Sequence, residues 1–158
     1  MRTAFRAEQL SDPRLRAAEA SLRSCVHCGF CTATCPTYVL LGDERDSPRG
    51  RIALIQNMLE TGATPSAEAV RHVDRCLSCL GCRTTCPSSV DYAVLVDAAR
   101  VHIENTYTRP LWERLYRALV LFTLTRPAVF AAMLTLARGL GPLARRLPGR
   151  IGILARKV

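Results

Sequence analysis

Two cysteine runs constrain this chain more than anything else in it: Cys25 to Pro36 reads CVHCGFCTATCP, and Cys76 to Pro87 reads CLSCLGCRTTCP. Each spells C-x2-C-x2-C-x3-C-P, and together they use all eight cysteines. Three cysteines three positions apart on a tightly coiled loop reach three corners of a [4Fe-4S] cube, and the fourth thiolate must come from elsewhere. In two-cluster proteins with this run, the fourth cysteine of each motif reaches across to the other cluster. The spacing therefore predicts Cys25, Cys28, Cys31 and Cys86 on one cluster, and Cys76, Cys79, Cys82 and Cys35 on a second. Pro36 and Pro87 stop the local coil and turn each fourth cysteine away from its neighbours. Cross-ligation of this kind fastens the two halves together and holds the clusters within electron-transfer reach of each other.

Paired C-x2-C spacings also build zinc ribbons. Zinc closes its tetrahedron with four ligands and has no use for a third cysteine at the same spacing followed by x3-C-P, twice over. Disulfides fit less well still, because clusters need reduced thiolates and the sequence shows no secretory signal, which places the expected site of action in the cytoplasm.

The length of 158 residues leaves room for one compact domain and an appendage. The formal charge of +9 is unevenly spread. Up to Asn105, twelve basic residues face twelve acidic ones, whereas from Thr106 onward ten basic residues face Glu113 alone. We therefore divide the chain into a cluster domain, residues 1–105, and a basic, apolar helical extension, residues 106–158.

Along the chain, Asp12 before Pro13 reads as an N-cap with proline at the first helical position, predicting a helix over 13–24 that delivers Cys25. Residues 1–10 read as part of this helical segment or as a frayed arm. Gly29 and Gly81, between the second and third cysteines of each motif, suit tight turns. His27 is expected beside a cluster at most, and His72 and His102 on helices, packing or facing solvent. After the apolar run 37–41, Ser47 and Pro48 start a helix ending before Gly62, with Ile52, Leu54, Ile55, Met58 and Leu59 as its stripe. Arg49 and Arg51 lie in its first turn, where the helix dipole disfavours cations, so each needs an anionic neighbour: Asp43, Glu44, Asp46 or a cluster. A short helix over 67–74 feeds Cys76. Residues 90–104 form another, with Val90, Ala93, Val94, Val96, Ala98 and Val101 as its apolar face. The expected fold is all-α: an α-helical ferredoxin-like domain with two [4Fe-4S] clusters, followed by apolar and basic helices.

In the extension, residues 110–124 place Leu111, Leu115, Ala118, Leu119 and Phe122 on one face, with Glu113 and Arg117 as an i,i+4 pair. A second apolar helix is expected over 127–140, broken up from Gly139 by glycines and prolines. Neither reaches about 18 uninterrupted apolar residues, so neither reads as a membrane span. Apolar helices beside basic residues suit an anionic membrane surface or a protein partner. Nucleic acid is not an expected partner, because the basic stretch is also strongly apolar.

The words between the cysteines are more selective than the cysteines. CVHCGFCTATCPTYVLLGDERDSPRGRI, followed by HVDRCLSCLGCRTTCPSSVDYAVLVDAAR, resembles the iron-sulfur subunit of bacterial glycolate oxidase (glycolate dehydrogenase), and the likeness extends from EQL to RPLWERL and RPAVF. The resemblance implies a subunit of an oxidoreductase complex that takes electrons from FAD-bearing partners oxidising glycolate to glyoxylate and passes them toward the quinone pool. It implies two [4Fe-4S] clusters on the eight cysteines, FAD on the partner subunits only, and peripheral contact with the inner face of the cytoplasmic membrane. Members of this family continue into a region with CCG-type motifs that the present sequence does not contain, which fits a truncated subunit or a short relative. No acid–base pair or nucleophile is expected to act on substrate here. The rival reading is an independent two-cluster carrier or adaptor, like the small subunits of heterodisulfide-reductase-type complexes.

Overall fold

The computed structural model describes residues 1–144, and among these it contains helices and turns with no strand. Contacts divide the chain into two units, Met1–Thr108 and Arg109–Val158.

The first unit is built from helices whose ends were written into the sequence. In Pro13–Ser24 (α1), the Asp12 carboxylate accepts from the Arg14 amide at 2.8 Å. The apolar run after Pro36 is itself a short helix, Pro36–Leu41 (α2), closed by Gly42 in the left-handed conformation. Pro48–Thr61 (α3) is capped by Ser47 Oγ accepting from the Gly50 amide at 2.9 Å and ends at left-handed Gly62. Ser66 caps Ala67–Asp74 (α4) in the same way. Gly81–Thr85 (α5) lies inside the second cysteine run, and Tyr92–Thr106 (α6) follows it. Serine and aspartate at these positions satisfy amides that the first helical turn leaves without partners.

The core is formed by one face each of α1, α3, α4 and α6: Ala18 and Leu22, then Ile52, Ile55, Met58 and Leu59, then Val70 and Val73, then Leu95, Val96, Ala99 and Ile103. Leu54, expected in the α3 stripe, is half-buried. On α6 the expected face needs correction. Val90, Val96 and Ala98 are buried, but Ala93 and Val94 are half-buried and Val101 is exposed, while Leu95, Ala99 and Ile103 point inward. Ala, Val, Leu and Ile fill eight of the fifteen positions of this helix, enough to offer more than one apolar face, and packing against α1, α3 and α4 selects among them. The N-terminal residues are pinned rather than frayed. The Met1 amine donates to the Arg23 and Cys25 carbonyls at 3.1 and 2.8 Å, and the Ala4 amide donates to Glu60 at 2.8 Å.

In the second unit, Leu111–Leu124 (α7) packs on Pro127–Ala144 (α8). Glu113 accepts from Arg109 at 2.6 Å and from Arg117 at 3.1 Å, and the Arg126 guanidinium lies 4.2 Å from the centre of the Phe122 ring. Leu111, Trp112, Leu115 and Leu119 are exposed. The expected break at Gly139 is not seen, and α8 continues to Ala144. The rest of the expected glycine-proline segment and the basic terminus lie outside the described residues. Among the described residues no single helix is long and apolar enough to cross a membrane. Leu111–Leu124 and Pro127–Gly139 meet that length and composition only as a pair, bent by 97°.

One glycine sets a close approach. A Cβ at Gly50 would lie 2.0 Å from the Glu44 carbonyl oxygen and 2.8 Å from its carbon, in the turn Glu44–Asp46 that packs on α3. Alanine in a helix interior is ordinarily favoured over glycine, by about 1 kcal/mol. Here Gly50→Ala is expected to reverse that sign and cost about 1–3 kcal/mol by overpacking against backbone. Urea denaturation of the two proteins side by side measures it, and a stabilised variant would contradict the packing described.

Candidate metal centre

The two cysteine runs repeat one backbone design. His27 and Ser78, each two residues after the first cysteine of its run, have φ of 55° and 53°. Gly29 and Leu80, after each second cysteine, have φ of 84° and 57°. The Thr32 amide donates to the Gly29 carbonyl and the Arg83 amide to the Leu80 carbonyl, at 3.0 and 2.9 Å. Cys35 and Cys86 then donate to Thr32 and Arg83. The left-handed position thus belongs to Leu80 and not to Gly81, which begins α5. A leucine held there is strained, and the surrounding structure must over-determine it.

These loops bring the thiols together in two groups. One hollow is lined by Cys25, Cys28, Cys31 and Cys86. The other is lined by Cys35, Cys76, Cys79 and Cys82, and Cys82 borders both. Cys28 and Cys79 are exposed, the others buried or half-buried, and no cysteine is bonded to another. Burial raises the Cys31 thiol above its ordinary value, and the neighbouring Cys25, Cys28 and Cys86 add to the shift. Burial, with Cys31, Cys76 and Cys35 nearby, pushes Cys82 up to about 12. Thiols so desolvated and crowded do not ionise by themselves, and a cation must replace their protons. Eight soft sulfur donors in two sets of four fit iron-sulfur clusters.

Cys35 differs from the rest. Its burial would raise it, but the Thr37 hydroxyl, the Tyr38 amide and the Arg51 guanidinium outweigh that and hold it below its ordinary value. Arg51 and Arg49, expected to need anions, both have them. Arg49 pairs with Glu44 at 2.8 Å on the surface. Arg51 is buried, with Nε donating to the His72 carbonyl at 2.7 Å, Nη2 to Asp46 Oδ1 at 3.3 Å and Nη1 to Cys35 Sγ at 3.7 Å. Asp46, wholly buried, also accepts from Arg75 at 2.9 Å and bonds His72 Nδ1 at 2.9 Å. Its backbone carbonyl accepts from Thr37 Oγ1 at 2.9 Å. Tyr92, buried between the thiols and the core, donates to Cys76 Sγ at 3.9 Å. Asp46 was among the anions expected for Arg49 and Arg51, whereas Thr37 and Tyr92 were not singled out from the sequence. The first-turn arginines were the signal that an anion was near, and the acidic triplet before Pro48 held it. His27 bonds the Met1 sulfur at 2.6 Å, and His102 bonds the Ala63 carbonyl at 2.9 Å.

An all-helical unit carrying two such cysteine runs defines the class, and residues 21–90 match the 4Fe-4S dicluster domain family. Beyond that domain, the chain is homologous to particular proteins. It is 50% identical over 133 residues to the glycolate oxidase iron-sulfur subunit of Escherichia coli, covering 84% of this chain and 32% of that protein. It is 40% identical over 103 residues to a probable glycolate oxidase iron-sulfur subunit of Bacillus subtilis, covering 65% and 23%. The chain thus spans a third or less of the curated relatives it matches. No solved structure matches it significantly.

Burial alone would raise the Asp46 carboxyl, but hydrogen bonds from His72 and Arg75 outweigh it and the value is lowered. Its contribution is therefore complete above the ordinary aspartate value of about 4 and is lost as pH falls through the lower folded-state value. Asp46→Asn is expected to cost about 3–5 kcal/mol near pH 7, since it leaves buried cations uncompensated. The gap between the two proteins should close as the medium is acidified below about pH 4. Urea titrations across that range measure it, and a gap that stayed constant would show that the Asp46 charge does not stabilise the fold.

Proposed function

We propose that this chain is an electron-transfer iron-sulfur subunit of a flavin-dependent glycolate oxidase, holding two [4Fe-4S] clusters and no substrate. The observation that carries this reading is that the eight thiols line two adjoining hollows, five around one and four around the other, with Cys82 common to both. The relatives' names supply the complex. In this reading Cys25, Cys28, Cys31 and Cys86 hold one cluster, and Cys76, Cys79, Cys82 and Cys35 the other. Bound clusters supply one-electron acceptance and release without bond rearrangement. The chain's own part is to hold the thiolates, to shield them with Ile52, Val90 and Tyr92, which line the hollows, and to fix their spacing through the two repeated loops.

Hydride removal from glycolate then belongs to FAD on partner subunits, and electrons leave toward the quinone pool. The exposed apolar residues of α7, among arginines, fit a peripheral position on the cytoplasmic face of the membrane or a partner protein.

Anaerobically purified protein should contain about eight irons per chain and show coupled [4Fe-4S]+ signals on reduction. Cys31→Ser and Cys82→Ser are each expected to lose one cluster and to abolish quinone reduction by the assembled complex, while the flavin partners still reduce an artificial dye. A colourless protein holding zinc, or quinone reduction that survives cluster loss, would overturn the reading.

A further inference from the structure

The two hollows are alike in backbone and unlike in surroundings. Building on the two-cluster reading above, we propose that Arg51, with Thr37 and Tyr92, makes the Cys35/Cys76/Cys79/Cys82 site the higher-potential of the two, so that a single electron entering this chain settles there.

One-electron reduction adds one negative charge to a cluster and makes or breaks no bond, the electron coming from a reduced flavin. Net charge, hydrogen bonds to sulfur and solvent exposure then set how readily that charge is accepted. On the Cys35 side the acids Asp43, Asp46 and Glu68 are matched by Arg45, Arg51 and Arg75, and of these cations Arg51 is the one that reaches a cluster sulfur. The Arg51 side chain is 1% exposed, so water screens its charge little. It lies 3.7 Å from Cys35 Sγ. Thr37 Oγ1 is 3.1 Å from the same sulfur, and Arg51 in turn donates to Thr37 at 3.1 Å. On the other wall, the buried Tyr92 hydroxyl donates to Cys76 Sγ. Two of the four sulfurs in this set therefore have side-chain partners.

The Cys25/Cys28/Cys31/Cys86 set has no counterpart. Among the described residues no side chain donates to any of its sulfurs. The guanidinium that lines this hollow, Arg49, has a side chain 37% exposed and is paired with Glu44, so its charge is both neutralised and screened. Chemically similar ligand sets in unequal fields have unequal potentials, and the direction follows from where the buried cation sits.

Potentiometric titration of the whole, cluster-loaded chain, read by low-temperature EPR, tests this. Iron and sulfide analysis of the unaltered protein comes first, and failure to find two clusters there would defeat the two-cluster reading itself. Given both clusters, two separate midpoints are expected, with Cys79→Ser altering the signal of the higher one. Arg51→Gln should lower that midpoint so that its reduced-to-oxidised ratio at fixed potential falls about tenfold, about 59 mV for a one-electron couple. Tyr92→Phe, which removes only a hydroxyl, should move it the same way by less, and Arg49→Gln should leave it in place. Should Arg51→Gln fail to fold, Tyr92→Phe decides alone. Coincident midpoints, a higher midpoint that Tyr92→Phe leaves unmoved at full iron content, or a shift confined to the lower couple would overturn the proposal.

Discussion

A single buried carboxylate ties together the turn before α3, the ends of α3 and α4, and the first cysteine run. Asp46 closes the turn Glu44–Asp46, receives Arg51 from α3, and bonds His72 and Arg75 at the end of α4. Its carbonyl takes the hydroxyl of Thr37 in α2. An ion so completely removed from water is tolerated only where partners satisfy it from several sides. That requirement makes the relative placement of α2, α3 and α4 nearly all-or-none. It also determines where the first cysteine run ends, because Cys35 sits against Arg51 and the Asp46 carbonyl.

The same requirement explains why α3 begins with arginines. A cation in the first turn opposes the helix dipole, at a cost of a few tenths of a kcal/mol to about 1 kcal/mol. Arg49 offsets this with surface Glu44, and Arg51 with Asp46 and with whatever negative charge the sulfurs carry. Gly50, between them, lets the helix approach the Glu44 carbonyl closely enough for both pairings. Three consecutive residues of α3 therefore serve the turn before it, and the apolar stripe that follows serves the core.

Much of this was legible. The cysteine spacing, the Asp12-Pro13 and Ser47-Pro48 starts and the Gly62 stop are local signals, and local hydrogen bonds enforce them whatever the tertiary context. That the two runs come together around adjoining hollows was expected from their repeated spacing, while Cys82 lines both hollows. What escaped depended on packing. The α6 face was ambiguous because the six residues Ala93–Val96 and Ala98–Ala99 are all apolar and span more than one face. Leu80 was hidden because glycine at 81 seemed to account for the turn, whereas register with Gly29 puts the left-handed residue one position earlier. Arg51 was expected to need an anion and His72 to pack or face solvent, but that one buried carboxylate, Asp46, partners both depends on tertiary packing.

A duplicated motif with equal surroundings would hold an electron equally on either side, and nothing would favour passage in one direction. Here the duplication is confined to the loops. After the first run, the chain spends the interval from Pro36 to Asp74 building α2, α3 and α4, with their buried ions. After the second, it goes directly into α6, whose inward face is hydrocarbon apart from Tyr92. The fourth cysteine of each run lines the hollow of the other, so Arg51, beside Cys35, borders the hollow of the second run and not that of the first. If the thiols hold clusters as proposed, this crossing turns an asymmetry along the sequence into an asymmetry between two neighbouring sites. A conductor of single electrons would need such a difference, and repetition alone cannot provide it.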